Sequence, residues 1–353
     1  MSSSHWPSWS TFSVAVAAPD QPHGIPVLNM TKKGISVKLR RPAAAVVALS
    51  LAVGLGGCNR VSAQEAAIPV IGLAVANLQA DFFNQIKQAV DAEAKSRGVK
   101  VRVADAGGDA ATQINQIQDF ITRQVDAIIY IPAGATAASV PVKAAHRAKI
   151  PVIAVDRNAP NAPGDTFIAT DSVAAARTLG EYVIEQTNGK GDVAILQGQI
   201  GTTPQLDRQK GFEEALATAP GLKVVAQRPA DWSQDKAFAV AQDMIQAHPD
   251  INVFWGQADA MALGAAQAAR NANLNPFPLL AGFDGDYAGL EAIRDGKIDA
   301  TMVQQTQLMG RMAVDSALDI IDGKQPPKEQ LQKAFLLTKA DPKKAQQYID
   351  NHP

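Results

Sequence analysis

Two aspartates stand at matching places in the chain and are the first candidates for chemistry. Asp156 closes the apolar run Ile150-Pro-Val-Ile-Ala-Val-Asp156, and Asp284 closes Phe277-Pro-Leu-Leu-Ala-Gly-Phe-Asp284. Paired carboxylates are the machinery of glycoside hydrolysis, where one of them acts as an acid. Arg157 follows Asp156 directly, and its charge is expected to depress the Asp156 pKa, the wrong direction for a general acid. No histidine stands near either strand-end aspartate, and no Gly-x-Ser-x-Gly elbow occurs. There is no Gly-x-Gly-x-x-Gly at a strand end and no phosphate loop with its lysine. An enzyme is therefore not expected. His5, His23, His146, His248 and His352 show no metal-ligand spacing, and the single cysteine, Cys58, excludes a Cys-rich zinc site and any intrachain disulfide. No metal and no cofactor are expected.

The elements around these aspartates follow one plan written twice. Ile68–Ala76 reads as a buried strand, and Asp81 is placed to cap a helix running to about Arg97 that Gly98 stops. Strand Val99–Val103, helix Ala111–Gln124, strand Ala127–Ile131, helix Ala137–Ala148 and strand Pro151–Val155 follow. The second half gives strand Val193–Leu196, helix Gln205–Ala219, strand Lys223–Gln227 and helix Gln234–Ala247, then strand Val253–Trp255, helix Asp259–Ala272 and strand Leu279–Phe283. Strands alternating with helices predict parallel sheets covered on both faces. The repeat predicts an α/β protein of two Rossmann-like lobes rather than one sheet of ten strands. Ligands of open α/β sheets bind beyond the carboxyl ends of the strands. Two facing lobes would put Asp156 and Asp284 on opposite walls of one cleft.

Composition agrees. The 353 residues suffice for about two domains at roughly 150 residues each. With 46% hydrophobic and 19% charged residues, general disorder and coiled coil are excluded. The net charge is −1, and no Lys/Arg block lies beyond the first 60 residues, so no nucleic-acid partner is expected.

The amino-terminal stretch reads as an address. Lys32, Lys33, Lys38, Arg40 and Arg41 precede an apolar run from Ala43 to Leu55, then Gly56, Gly57 and Cys58. At 13 residues the run falls short of the ~20 that span a bilayer. Leu55-Gly56-Gly57-Cys58 resembles a bacterial lipobox, in which the cysteine sulfur takes a diacylglycerol and becomes the new amino terminus. The plain alternative is a short buried helix with a core cysteine. Residues 30–57 are thus expected to be a lipoprotein signal peptide, 58–66 a linker, and 1–29 a non-native or disordered extension before Met30. Removing residues 1–57 takes away those five cations and Asp20, so the net charge falls from −1 to −5.

Six segments occur in a telling order: Ala76-Asn-Leu-Gln-Ala-Asp-Phe-Phe83, Ile153-Ala-Val-Asp-Arg157, Arg208-Gln-Lys-Gly-Phe212, Pro229-Ala-Asp-Trp232, Asp259-Ala-Met-Ala-Leu-Gly264 and Gly282-Phe-Asp-Gly285. In this the chain resembles the type I periplasmic binding proteins of the ribose-binding cluster, over about residues 66 to 335. The resemblance implies a sugar or sugar alcohol captured by hinge closure for an ABC permease of the inner membrane. It implies a periplasmic or cell-surface monomer that touches the membrane only through its lipid anchor. The lobes are expected at 67–170 plus 305–333 and 171–304 plus 334–353, hinged near Thr170-Asp171, Gln304-Gln305 and Lys333-Ala334.

The same resemblance assigns roles. Asp156 accepts from sugar hydroxyls and Arg157 donates; a solvated turn pair is the plain alternative. Asp284 does the same from the other lobe, or caps the segment starting at Gly285. Phe82 is expected to stack on the ligand and Phe83 to lie near the cleft floor, unless both are core. Trp232 is a second stacking ring or a rim aromatic. Gln304 offers an amide to the ligand or serves the hinge. The family arginine that touches sugar is matched by Leu206; Arg208 matches its neighbour and either reaches a hydroxyl or forms a structural ion pair, with Asp207 as a substitute. Ala80 and Ala258 replace two other polar contacts, so ribose itself is not expected. Asn77, Gln79 and Gln257 could compensate. Lactose-repressor-type regulators share the lobe pair but carry a helix-turn-helix where this chain has its signal. A periplasmic sensor serving a chemoreceptor or histidine kinase is the alternative to transport.

Overall fold

The computed structural model describes residues 68–351; the residues expected to form an extension, a signal and a linker, with Cys58, lie outside them. The first half runs β1 (Val70–Val75), α1 (Asp81–Ser96), β2 (Lys100–Asp105), α2 (Ala110–Thr122), β3 (Ala127–Tyr130), α3 (Ser139–Arg147), β4 (Val152–Val155) and β5 (Thr166–Thr170). The second runs α4 (Ser172–Gln186), β6 (Lys190–Gln197), α5 (Thr203–Leu216), β7 (Gly221–Pro229), α6 (Gln234–Ala247), β8 (Ile251–Gly256), α7 (Asp259–Asn271), β9 (Leu279–Ala281), α8 (Tyr287–Arg294) and β10 (Ala300–Val303). The chain returns through α9 (Thr306–Ile321), β11 (Glu329–Gln332), β12 (Phe335–Thr338) and α10 (Pro342–Asp350).

These strands form two sheets of six, in the orders β11-β5-β4-β3-β1-β2 and β12-β10-β9-β8-β6-β7. The two orders are the same pattern. The chain crosses between sheets after β5, after β10 and after β11. All pairings in the first sheet are parallel, while β12 runs antiparallel to β10 in the second. The expectation of wholly parallel sheets fails at that edge, where only Lys333 and Ala334 separate β11 from β12.

The central strands of each sheet are buried on both faces, as their apolar runs demand, while the edge strands β2, β7 and β11 are largely exposed. Ile71, Leu73, Val75 and Ile129 pack with Ile86, Val90, Met309 and Val314 on one side of the first sheet, and Ile128 and Tyr130 with Ile117, Phe120 and Val142 on the other. In the second sheet Leu196, Phe254 and Leu280 meet Met244, Met261 and Leu290, while Phe212 stacks on Trp255 at 3.9 Å on the opposite face. Asp81 lies inside the first turn of α1, and Ala80 holds the N-cap position without a side-chain bond. The expected cap is therefore one residue off, and the Asp81 carboxylate is free for other partners. Among the described residues no helix is long and apolar enough to cross a membrane.

Candidate functional site

The loops after β1, β4, β6, β7, β8 and β9, with Gly108 and Ala133 from those after β2 and β3, border a cleft of about 690 Å³, within the ~300–1,000 Å³ range of small-molecule sites. Asn77, Gln79, Phe82, Phe83, Asp156 and Arg157 line it from the first sheet's side; Arg208, Trp232 and Asp284 line it from the second. The lobes touch at its flanks. The Asn158 N–H donates to Thr203 Oγ1 at 3.0 Å, Arg157 Nη1 donates to Gln199 Oε1 at 3.3 Å, and the Tyr287 N–H donates to Asp81 Oδ2 at 3.1 Å.

Asp156 directly follows β4 at φ +61°, and Asp284 follows β9 at φ +121°. Non-glycine residues at positive φ are uncommon and concentrate where function sets the backbone. Arg157 Nε lies 3.5 Å from Asp156 Oδ2, and Arg157 Nη1 donates to the Pro132 carbonyl at 3.0 Å. Its guanidinium lies 5.2 Å from the Phe83 ring centre and 5.7 Å from that of Trp232. Burial lowers the Arg157 pKa, with Asp156 opposing. Burial also raises the Asp156 pKa, against the pull of Arg157 and then Arg208. This corrects the expectation that Arg157 would depress it: in a dry site the loss of hydration outweighs the neighbouring cation.

In the second lobe Arg208 lies 3.0 Å from Asp284 Oδ1, donates to the Gln257 carbonyl, and lies between the rings of Phe283 (3.9 Å) and Trp232 (5.4 Å). Gln304 Nε2 donates to the same Asp284 oxygen at 2.7 Å, which leaves Oδ2 for a ligand. Burial pushes the Asp284 carboxyl up to about 7; Arg208 opposes, Asp286 and Asp156 add, and the Gln304 bond opposes. The helix after Asp284 is capped by Asp286, not Asp284: Asp286 Oδ1 accepts from the Gly289 N–H at 2.7 Å.

Phe82 and Phe83 are both buried and meet edge-to-face at 5.3 Å, and both border the cleft while packing into the first lobe's core. Trp232 adopts φ +65° and lies over Gly198, where any Cβ would overlap the indole. Gln257 is fully buried and outside the cleft lining; its side chain accepts from the Gly198 N–H at 2.9 Å and donates to Gln209 at 3.0 Å. Gln304 also stays out of the lining. Its Oε1 accepts from Thr170 Oγ1 at 2.6 Å, so it ties two interlobe crossings to Asp284. Leu206 is 55% exposed, while Arg208 is 2% exposed and in the cleft. Two positions on a helix differ by about 200°, so 206 and 208 face opposite ways. The matching of Leu206 to a sugar-touching arginine is thereby corrected: Leu206 does not line the cleft, and Arg208 does. Asp207 is not in the lining either. Ala80 and Ala258 are. Sequence reasoning missed Asp286, Gln199 and the Phe283 ring beneath Arg208; only the phase of α5 and the run Phe283-Asp284 carried a usable signal.

Residues 71–325 match the family model described as a periplasmic binding protein domain, and the chain belongs to that family. The ribose import binding protein of Bacillus subtilis (strain 168) is 34% identical over 258 residues, spanning 73% of this chain and 83% of that one. Among solved structures, the periplasmic binding component of the arabinose ABC transporter from Shewanella sp. ANA-3, bound to L-arabinofuranose, is 30% identical with a TM-score of 0.75, covering 80% of this chain and 96% of that one. The fructose-binding periplasmic domain of a hybrid two-component system is 28% identical with a TM-score of 0.75, covering 80% and 95%. The architecture is that of the type I members, two lobes with three crossings, and these relatives bind solutes rather than transform them.

Proposed function

We propose that this chain captures a neutral sugar or sugar alcohol between its lobes and delivers it to an ABC importer. The observation that carries the reading is the pair of buried Asp–Arg units, Asp156–Arg157 and Arg208–Asp284, one from each lobe on one cleft that also holds Phe82, Phe83 and Trp232. A sugar's hydroxyls need donors and acceptors once water is excluded, and its C–H faces suit aromatic rings. Asn77 and Gln79 border the same space and can serve further hydroxyls. Gln257 and Gln304 act behind the wall. Ala80 and Ala258 leave two polar contacts of the ribose-binding pattern unmade, which favours a ligand other than ribose.

On this reading residues 67–170 plus 305–333 and 171–304 plus 334–353 move as two bodies, and closure adds the second lobe's bonds to those of the first. The protein is exported, anchored through a diacylglycerol on Cys58, and works as a monomer. Cys58→Ser should abolish partitioning into detergent; continued partitioning would remove the anchor.

The decisive experiment is a thermal-shift screen against sugars and polyols. Ligand at 100 times its dissociation constant adds about 2.7 kcal/mol of stability. A screen in which none raises the melting temperature refutes the reading. The likeness to a two-component fructose-binding domain favours a second role for the same site: a periplasmic sensor presenting its ligand to a chemoreceptor or histidine kinase. Co-purification with a permease rather than a receptor separates the two.

A further inference from the structure

The charges bordering the cleft are not all matched. Asp156 pairs with Arg157, Asp284 with Arg208, and Asp231 with Lys236. Asp81 and Asp286 also border it, and among the described residues neither has a cation within ion-pair distance. Asp81 is served by amides: its Oδ2 accepts from Gln85 Nε2 at 2.8 Å and from the Tyr287 N–H at 3.1 Å. Asp286 is less well served. Its Oδ1 caps α8 at Gly289, and among the described residues no donor bonds its Oδ2. It stands two residues from Asp284 and one from Tyr287, whose N–H reaches the opposite lobe, so it sits at the seam between lobes. Burial pushes its carboxyl up to about 6, with the Gly289 N–H opposing and the Asp81 charge adding. Asp286 is half-buried and its Oδ2 stays open to the cleft, where a ligand hydroxyl can replace water as its donor.

We propose that Asp286 is a ligand-contacting carboxylate whose Oδ2 selects for a hydroxyl on the α1–α8 side of the cleft. This rests on the reading of the cleft as a sugar site. Asp286 lies outside the set of residues that the sequence picked out, and its capping bond alone does not require a place in the cleft lining.

The test is calorimetric titration of the chain with D-allose, L-arabinose, xylitol and myo-inositol, followed by monodeoxy analogues of the tightest binder, on the unmodified protein and on Asp286→Asn. Asparagine caps helices as well as aspartate does, so the melting temperature without ligand should hold. Asp286→Asn should bind the parent compound at least tenfold more weakly. Loss of one particular hydroxyl should cost the unmodified protein tenfold or more and the variant no more than twofold. Equal affinities, or the same deoxy penalties in both proteins, overturn the proposal and leave the sugar reading standing. Binding of none of the four by the unmodified protein removes both.

Discussion

Asp284→Asn isolates the contribution of the second lobe. In the structure Asp284 Oδ1 is occupied twice, by Gln304 at 2.7 Å and by Arg208 at 3.0 Å, and Oδ2 is the oxygen left for ligand. An asparagine can keep its carbonyl on Gln304 and Arg208 and turn its NH₂ to the cleft. Charge-assisted bonds are worth roughly 1.5–3 kcal/mol and neutral ones roughly 0.5–1.5, so replacing two ligand bonds of the first kind loses about 2–3 kcal/mol. That is about thirtyfold to 150-fold in dissociation constant. Stability without ligand feels two opposed effects. The buried charge, whose cost is visible in a carboxyl pushed up to about 7, is removed, while Arg208 loses its counter-ion. Asp284→Ala lacks the first compensation of shape and leaves Arg208 with one carbonyl and two rings, a loss of about 3–5 kcal/mol typical of a broken buried pair. Calorimetry on Asp284→Asn, with its melting temperature as control, is therefore the cleaner assay. A dissociation constant within twofold of the unmodified protein, at equal melting temperature, would show that Asp284 serves only Arg208 and Gln304.

Three further outcomes follow from the same geometry. Asp284 and Asp286 have folded-state pKa values raised to about 7 and about 6, so the stability they contribute to the unliganded protein is fully present below their unfolded values near 4 and is lost as pH rises through 6 to 7. Ligand hydroxyls that donate to the carboxylates lower those values, so binding should release protons near pH 6.5 and weaken as pH falls from 7 to 5.5; a dissociation constant flat over that range contradicts the role of Asp284. Gly198→Ala should push the Trp232 indole from its seat, costing about 1–3 kcal/mol of stability and weakening ligand binding more than tenfold, read by melting and tryptophan fluorescence; an unchanged emission spectrum refutes the packing. Thr203→Val removes the acceptor of the Asn158 N–H across the lobes and should weaken binding about fivefold, some 1 kcal/mol, with no ligand contact altered; equal affinity means that the contact does not contribute to closure.

The parts of the fold that were legible in the sequence are those written as uninterrupted apolar runs between amphipathic stretches. β4 and β8 stood out because Val152–Val155 and Val253–Trp255 are buried on both faces. The sequence reading assigns no element to β5, α4, α8, β10, α9, β11, β12 or α10. Thr166 and Thr170 flank β5, and Thr301 lies inside β10, yet both strands are wholly buried because their hydroxyls find partners in Pro327, Gln304 and Asp259. A buried threonine with its hydroxyl satisfied looks polar on the page. In the site, residues set by strand ends were found because a strand end fixes direction. The glutamines were harder: Gln257 and Gln304 have the chemistry of ligand amides, but the second lobe uses their groups to hold Gly198 and Asp284. Asp286 escaped notice because its place in the cleft depends on the turn after β9. Fully buried Asp259 shapes that turn by accepting from the Gly285 N–H at 2.8 Å.

The arrangement of charges bears on what closes the cleft. Each Asp–Arg pair lies within one lobe, so neither lobe needs the other to neutralise its buried cation. Among the described residues four bonds cross the cleft flanks: two neutral ones at Thr203, whose Oγ1 accepts from the Asn158 N–H and donates to the Asn158 carbonyl at 3.4 Å, one long at Gln199 and one solvent-exposed at Asp81. Exposure and length hold such bonds to roughly 0.5–1 kcal/mol each, about 2–4 together. Moving an equilibrium from 1:99 to 99:1 takes about 5.5 kcal/mol. The protein's own contacts are already counted in its unliganded equilibrium, so a ligand must supply that difference itself, about the worth of two or three charge-assisted bonds at roughly 1.5–3 kcal/mol each. On the proposed reading, Asp156 and Asp284 accept those bonds from a single small ligand. Closure driven in this way would be selective, because a molecule that meets one carboxylate and not the other supplies only about half of the closing free energy.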